Sequence, residues 1–289
     1  MADAPNPVFV EEGELAGPHG PLRVRCYRLP EPGRIWSGLV WMHGGGFAFG
    51  DLEMAEADWF ARRMASAGVA VVSVDYQLAP WRALGALRSV EPPEKEGSAH
   101  YPVASEEVGF AYEWANSSTE MGVPSGGWSI GGASAGANLA AGAAMRLRDR
   151  GGPIPRSLVL AYAVLHALPQ PLAAELAAKV GRLEPQSVLT DELWRAMSVN
   201  YVGGAELLSD RYAFPGGHDL SGMPPTMILN SDADTARGSG QRFAAELAEA
   251  GVDVWQVLEP GTVHGHLSRA DSAPALRSVS RVCQWLTLL

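Results

Sequence analysis

Residues 127–152, GWSIGGASAGANLAAGAAMRLRDRGG, place a short apolar run, a glycine-rich pentapeptide and an Ala-rich segment in immediate succession. Inside this stretch Gly132-Ala133-Ser134-Ala135-Gly136 reads GxSxG. The pattern suits a strand that turns at once into a helix, with a serine held at the apex in strained backbone and its hydroxyl exposed. Small residues two positions to either side let neighbouring backbone approach. The bland alternative is a glycine-rich turn before a tightly packed helix. The segment that follows, 135–150, ends in Arg146, Arg148 and Arg150 before Gly151-Gly152. Cations in the last turn and glycine after it are what a helix C-terminus favours.

The same alternation extends in both directions. Short apolar runs occur at 39–42 (LVWM), 69–74 (VAVVSV), 158–162 (LVLAY), 226–229 (TMIL) and 252–258 (VDVWQVL), and GWSI at 127–130 is a weaker sixth. Each is bounded by Gly, Pro, Asn or Asp, as buried strands are. Helix-length segments lie between them at 52–67 after Asp51, at 135–150, at 240–250 and at 278–289. Alternating strands and helices predict an α/β fold with a mostly parallel sheet covered on both faces. Two stretches break the pattern. Residues 81–101 (WRALGALRSVEPPEKEGSAHY) read as an irregular surface excursion, and 166–222 is a long insertion with helical patches near 171–181 and 190–201. Long insertions between strands are more often lids or functional loops than idle chain.

Composition narrows the possibilities further. The chain has 289 residues, 47% of them apolar and 19% charged, which argues against disorder and suits one domain. Lys plus Arg number 22 against 32 Asp plus Glu, a net charge of −10, and no basic cluster tracks phosphates, so nucleic-acid binding is disfavoured. Two cysteines, Cys26 and Cys283, are not a disulfide framework, and no Cys/His spacing reads as a metal site. The opening MADAPNPVFVEEGE lacks a basic region followed by an apolar run, and no apolar stretch approaches the roughly 18 residues a membrane span needs. A cytoplasmic chain is expected.

A second glycine-rich motif, His43-Gly44-Gly45-Gly46-Phe47, ends the LVWM strand. Three glycines leave backbone N–H groups uncovered and able to face one point, which is what a developing oxyanion needs. The phosphate-loop pattern GxxxxGK[ST] is absent, and a plain turn is the bland alternative. A serine hydroxyl becomes a good nucleophile only when a base takes its proton and a third group orients that base. In the chain order serine, acid, histidine, the histidines available after Ser134 are His166, His218, His264 and His266. His264 directly follows the VDVWQVL strand, where a loop reaches the carboxyl edge of the sheet. His218 precedes the TMIL strand, His166 has no acid loop before it, and His266 is the close rival. The acid falls in Asn230-Ser231-Asp232-Ala233-Asp234, where position alone does not separate Asp232 from Asp234. Either could instead cap a helix.

Together these residues resemble the hormone-sensitive-lipase-like family of α/β-hydrolase esterases over roughly residues 36 to 289. The resemblance rests on HGGGF at 43–47, DYQLAP at 75–80, GASAGANLA at 132–140, DLSGMPPT at 219–226 and the acid and histidine loops. It implies an α/β-hydrolase fold, here a single domain over 1–289, with a reduced helical cap drawn from 1–35, 81–101 and 166–222. It also implies a serine carboxylesterase for short- to medium-chain esters that works through an acyl-enzyme, with no cofactor and no metal. The family's DPLRDEG pattern, followed by a helix ending in Ala-Gly-Val, is counted back from Ala250-Gly251-Val252 and puts the acid on Asp234 and the motif's arginine on Arg237. Its HGF motif falls on His264-Gly265-His266, making His264 the base, with His266 in place of Phe. The implied oxyanion donors are the N–H groups of Gly45, Gly46 and Ala135. The implied partners are a small-molecule ester and a second copy of the chain at the sheet's edge. Other readings within reach of the same motifs are an amidase or deacetylase of a specialised metabolite, and a ligand-binding relative without catalysis.

This chain departs from the family in its short N-terminus, its loosened acid motif and the twenty or so residues inserted after LAP. That insertion is expected to replace part of the missing lid. Among the remaining residues, Phe47, Phe49 and Trp81 are candidates for the pocket wall because they flank the motifs. Met145 and Met197, like most of the tryptophans, are expected in packing, and Glu106-Glu107 on a solvated helix face.

Overall fold

The inner apolar runs become strands because they bury side chains on both faces, as inner parallel strands must, whereas the last run, at the sheet's edge, alternates buried and exposed residues. The computed structural model describes residues 6–30, 34–81 and 97–289. Its strands are β1 (Phe9–Gly17), β2 (Gly20–Arg28), β3 (Ser37–Met42), β4 (Val69–Val74), β5 (Trp128–Ala133), β6 (Leu158–Ala161), β7 (Thr226–Ala233) and β8 (Val254–Val263). The α-helices are α1 (Asp58–Ser66), α2 (Val103–Ser117), α3 (Ala135–Asp149), α4 (Ala174–Val180), α5 (Asp191–Val202), α6 (Ala236–Glu249) and α7 (Ala273–Leu288). One sheet runs β1-β2-β4-β3-β5-β6-β7-β8. It is parallel from β4 onward, while β1 with β2 and β2 with β4 pair antiparallel.

Strand alternation sorts the core into two layers. Val40, Met42, Val72 and Ile130 face a layer that includes Val108, Leu139 and Phe243 from α2, α3 and α6. Leu39, Trp41, Val69 and Val71 face Phe60 and Met64 of α1 and Val282 and Trp285 of α7. The helix expected at 52–67 starts only at Asp58, and Asp51 does not cap it. Its carboxylate instead accepts from the Glu53 N–H two residues on, a local turn.

Residues 9–28, expected among the cap elements, are not a cap. They form a hairpin at the antiparallel edge of the sheet. Leu22 and Val24 of β2 alternate into the core and Tyr27 faces the opposite layer, so moving this hairpin over the site would expose them. The largely buried Arg25 pairs with Glu12, Glu53 and Asp58, joining the hairpin to α1. The excursion at 81–101 lies outside the described residues over 82–96. The insertion at 166–222 contains α4 and α5. Glu107 corrects the expectation for α2: it is fully buried, and accepts hydrogen bonds from the Gln77 N–H at 2.8 Å and from the Gln77 amide at 2.7 Å. No helix among the described residues is long and apolar enough to cross a membrane.

Candidate active site

Parallel pairing brings the ends of four strands to one edge, where ligands of open α/β sheets bind. Met42 pairs with Gly132 across β3 and β5, so the loop after β3 lies beside the turn after β5. Ala233 pairs with Val263 across β7 and β8, past an irregularity in the register, so the next residues, Asp234 and His264, emerge side by side.

Ser134 stands at the apex of the β5–α3 turn with φ 52° and ψ −115°. A non-glycine residue at positive φ is strained, and such strain collects at functional sites. The turn is held by the Ser134 N–H, which donates to the Ala161 carbonyl of β6 at 2.8 Å. Glycine is required at 136 because a Cβ there would lie 2.4 Å from the carbonyl oxygens of Met42 and His43. Ser134 Oγ is 2.9 Å from His264 Nε2, and His264 Nδ1 is 2.8 Å from Asp234 Oδ2. Asp234 is 2% exposed, and its other oxygen accepts from the Ala236 N–H at 2.9 Å. The three side chains thus form one hydrogen-bonded line from the pocket-lining Ser134 to a buried carboxylate.

Gly45 has φ +113°, and a Cβ there would run into the Phe49 carbonyl, so the loop's shape needs glycine. The N–H groups of Gly45, Gly46 and Ala135 have no hydrogen-bond partner among the described residues. His43 is buried beneath the loop: its Nδ1–H donates to the Gly44 carbonyl at 2.7 Å, and its ring stacks on Tyr76 at 4.5 Å. Burial disfavours the imidazolium and pushes the His43 pKa down.

The remaining candidates sit elsewhere. Asp232 turns toward the insertion, accepting from Lys179 of α4 at 2.5 Å and from the Gly261 N–H at 3.0 Å. These contacts hold its pKa low against the opposing effect of burial. Arg237 bonds the Asp232 carbonyl at 3.0 Å and Glu175 of α4 at 3.2 Å. His166 lies between Ser239 and Glu246, and His218 is exposed. His266 is buried between Ser231 at 2.8 Å and Ser278 at 2.9 Å. Its ring and that of His264 each meet Tyr162 edge-to-face, with centroids 5.2 Å away. Burial depresses the His266 pKa to about 4.

A pocket opens over Ser134 and His264. Phe49 and Trp81 line it, their rings edge-to-face at 5.4 Å, whereas Phe47 is in the core, stacked on Tyr201 at 4.0 Å. Leu189, Leu193 and Met197 from the insertion form another part of the wall. Met197, expected only in packing, stands over the glycine loop, since a Cβ on Gly46 would lie 3.0 Å from its sulfur. Glu56, Tyr162 and Ser268 also line the pocket, and no motif singled them out. For Tyr162 the only sequence signal is its place just after a strand in the same position as Ser134. Among the described residues no group of three His, Cys, Asp or Glu side chains is placed to hold a metal ion.

Comparison with known proteins gives a consistent family. A family model described as the alpha/beta hydrolase fold matches residues 39–87 and 96–268. The chain is 31% identical over 266 residues to the esterase LipI of Mycobacterium tuberculosis, covering 90% of this chain and 76% of that protein. It is 32% identical over 261 residues to the carboxylesterase NlhH of the same organism, covering 88% and 74%. Among solved structures, a hyperthermophilic esterase from Pyrobaculum calidifontis superposes with a TM-score of 0.81 at 30% identity, covering 96% of this chain and 85% of that one.

Proposed function

Since this chain belongs to the hormone-sensitive-lipase-like family of α/β-hydrolases, we propose that its carboxylic ester hydrolase activity runs through Ser134, His264 and Asp234. The observation that carries this reading is the continuous line Ser134 Oγ–His264 Nε2 at 2.9 Å and His264 Nδ1–Asp234 Oδ2 at 2.8 Å. In this reading His264 takes the Ser134 proton as Oγ attacks the ester carbonyl. Asp234 holds the imidazole in the tautomer that accepts at Nε2, and stabilises the imidazolium that forms. The Gly45, Gly46 and Ala135 N–H groups stabilise the oxyanion of the tetrahedral intermediate. His264 then protonates the leaving alcohol, and water enters by the same route to release the acid from the acyl-enzyme.

The substrates assigned in this reading are esters of short- to medium-chain acids. Phe49, Trp81, Leu193 and Met197 offer apolar surface, but they also bound it. Residues 166–222 act in this proposal as a small cap, since Leu189, Leu193 and Met197 wall the pocket that holds Ser134. The test is hydrolysis of p-nitrophenyl esters from acetate to laurate by wild type and Ser134→Ala. Turnover that declines beyond medium chains, and a loss of several orders of magnitude in the variant, is the expected result. A Ser134→Ala protein that retains its activity overturns the assignment.

A further inference from the structure

The pocket wall contains a carboxylate that the mechanism above does not use. Glu56 is 3% exposed and has no Lys or Arg partner among the described residues. Burying a carboxylate without a countercharge is costly unless hydrogen bonds replace its water. Here three do. The Gly44 N–H donates to Oε1 at 2.7 Å, and the Tyr162 and Ser268 hydroxyls donate to Oε2 at 2.7 and 3.1 Å. The donors come from three separate segments: the glycine loop after β3, the end of β6, and the turn after β8 that carries His264. The backbone of Glu56 is itself anchored, because its carbonyl accepts from Trp41 Nε1 of β3 at 2.8 Å.

Resting on the reading of the site just given, we propose that Glu56 is a positioning residue that locks the oxyanion loop to the histidine loop. Bonding of the Gly44 N–H to Glu56 fixes that peptide and leaves the next two N–H groups, of Gly45 and Gly46, for the substrate oxygen. On the other side, Ser268 lies four residues after His264 in the same turn. The ring of Tyr162, held by its hydroxyl on Glu56, packs edge-on against the imidazole at 5.2 Å. One carboxylate therefore sets the spacing between the groups that stabilise the oxyanion and the group that moves the proton. Tyr162 adopts φ 37°, and its bond to Glu56 helps hold that conformation.

The test compares Glu56→Ala and Glu56→Gln, together with Ser268→Ala and Tyr162→Phe alone and combined with each. Three readouts are taken: kcat, KM, and affinity for an alkyl trifluoromethyl ketone, which adds to a serine hydroxyl to form a stable oxyanion. Glu56→Ala is expected to lower kcat about 10²-fold, in the range of losing one oxyanion donor, with ketone affinity falling in parallel. KM should stay within about threefold, because the lost interaction acts in the transition state. Glu56→Gln keeps an acceptor for the Gly44 N–H and should restore at least about tenfold of the kcat loss. Ser268→Ala and Tyr162→Phe should each lower kcat a few-fold in wild type and have no further effect in the Glu56→Ala background. Unchanged kcat, a loss confined to KM, or additive effects in the double variants would overturn the proposal. If Glu56→Ala does not fold, the Gln variant and its cycles with Ser268 and Tyr162 decide the question. Failure of the underlying site assignment is separable, since it appears as activity retained in Ser134→Ala whatever the Glu56 variants do.

Discussion

Asp232 and Asp234 are two residues apart and have opposite surroundings. Asp234 is buried against His264, whereas Asp232 is spent on Lys179, Arg237 and the Gly261 N–H. Asp234→Asn is expected to lower kcat roughly 10⁴-fold, the loss such a change causes in a serine protease by favouring the wrong imidazole tautomer. Asp232→Asn should leave kcat within about tenfold and act mainly on KM, because it loosens α4 rather than the imidazole. Steady-state kinetics on one short-chain ester separates the two, and the reverse ranking would move the acid to Asp232. The residue scale also explains why the pair is ambiguous in sequence. Both are aspartates in one loop, and the difference between them is which neighbour the fold supplies.

At the scale of elements, the decisive one is the β5–α3 turn. The turn works only because α3 packs directly on the loop after β3, with Gly136 against the Met42 and His43 carbonyls. Gly136→Ala should therefore cost about 1–3 kcal/mol, as overpacking does, and lower Tm by several degrees. Activity should fall more than stability, because the shift is passed straight to the glycine loop. Thermal unfolding and kinetics on the same preparation check this, and a variant with wild-type Tm and kcat would refute the packing argument. The edge hairpin teaches the opposite lesson. β1 is exposed along much of its length and carries little apolar contrast, so it left a weak signal. The alternation of Leu22, Val24 and Cys26 in β2 was the available sign of a strand.

For the whole molecule, the buried titrating groups predict how stability responds to acid. His266 ties β7 to α7 through Ser231 and Ser278, and burial lowers its pKa from 6.5 to about 4. Between those two values the unfolded chain takes up a proton that the folded chain refuses, so stability falls as pH drops from about 6.5 to about 4. At about 1.4 kcal/mol per pH unit, the loss from this group is of order 3 kcal/mol. Glu246 acts in a lower window. Burial alone would raise its pKa, but hydrogen bonds from His166, Arg242 and the Gly217 N–H outweigh it and hold the carboxyl at about 2. Its contribution is complete above about 4.5 and is lost as pH falls toward 2. Chemical denaturation at pH 7.5, 5.5 and 4 should show the first loss in wild type and a flatter response in His266→Phe. An equally steep response in that variant would assign the acid sensitivity to other groups.

The two glycine-rich loops and the α/β class are legible in the residues alone. Those signals are local: GxSxG and HGGG record tight backbone turns that need glycine, and short apolar runs between helices record the strands of the sheet. The α/β-hydrolase fold inferred from them is the one found. Position in the loop leaves Asp232 and Asp234 level and the family register favours Asp234, but that residues 9–28 join the sheet and that Glu107 and His266 are buried is visible in the folded chain alone. Glu56 is the clearest case. In DLEMAEADWF it reads as one more acid ahead of a helix, since nothing within ten residues reveals its partners. Gly44, Tyr162 and Ser268 reach it from loops 12, 106 and 212 residues away in the chain. A local pattern cannot encode such a meeting, because strand order and register, set by the summed packing of the whole sheet, bring those loop ends to one edge.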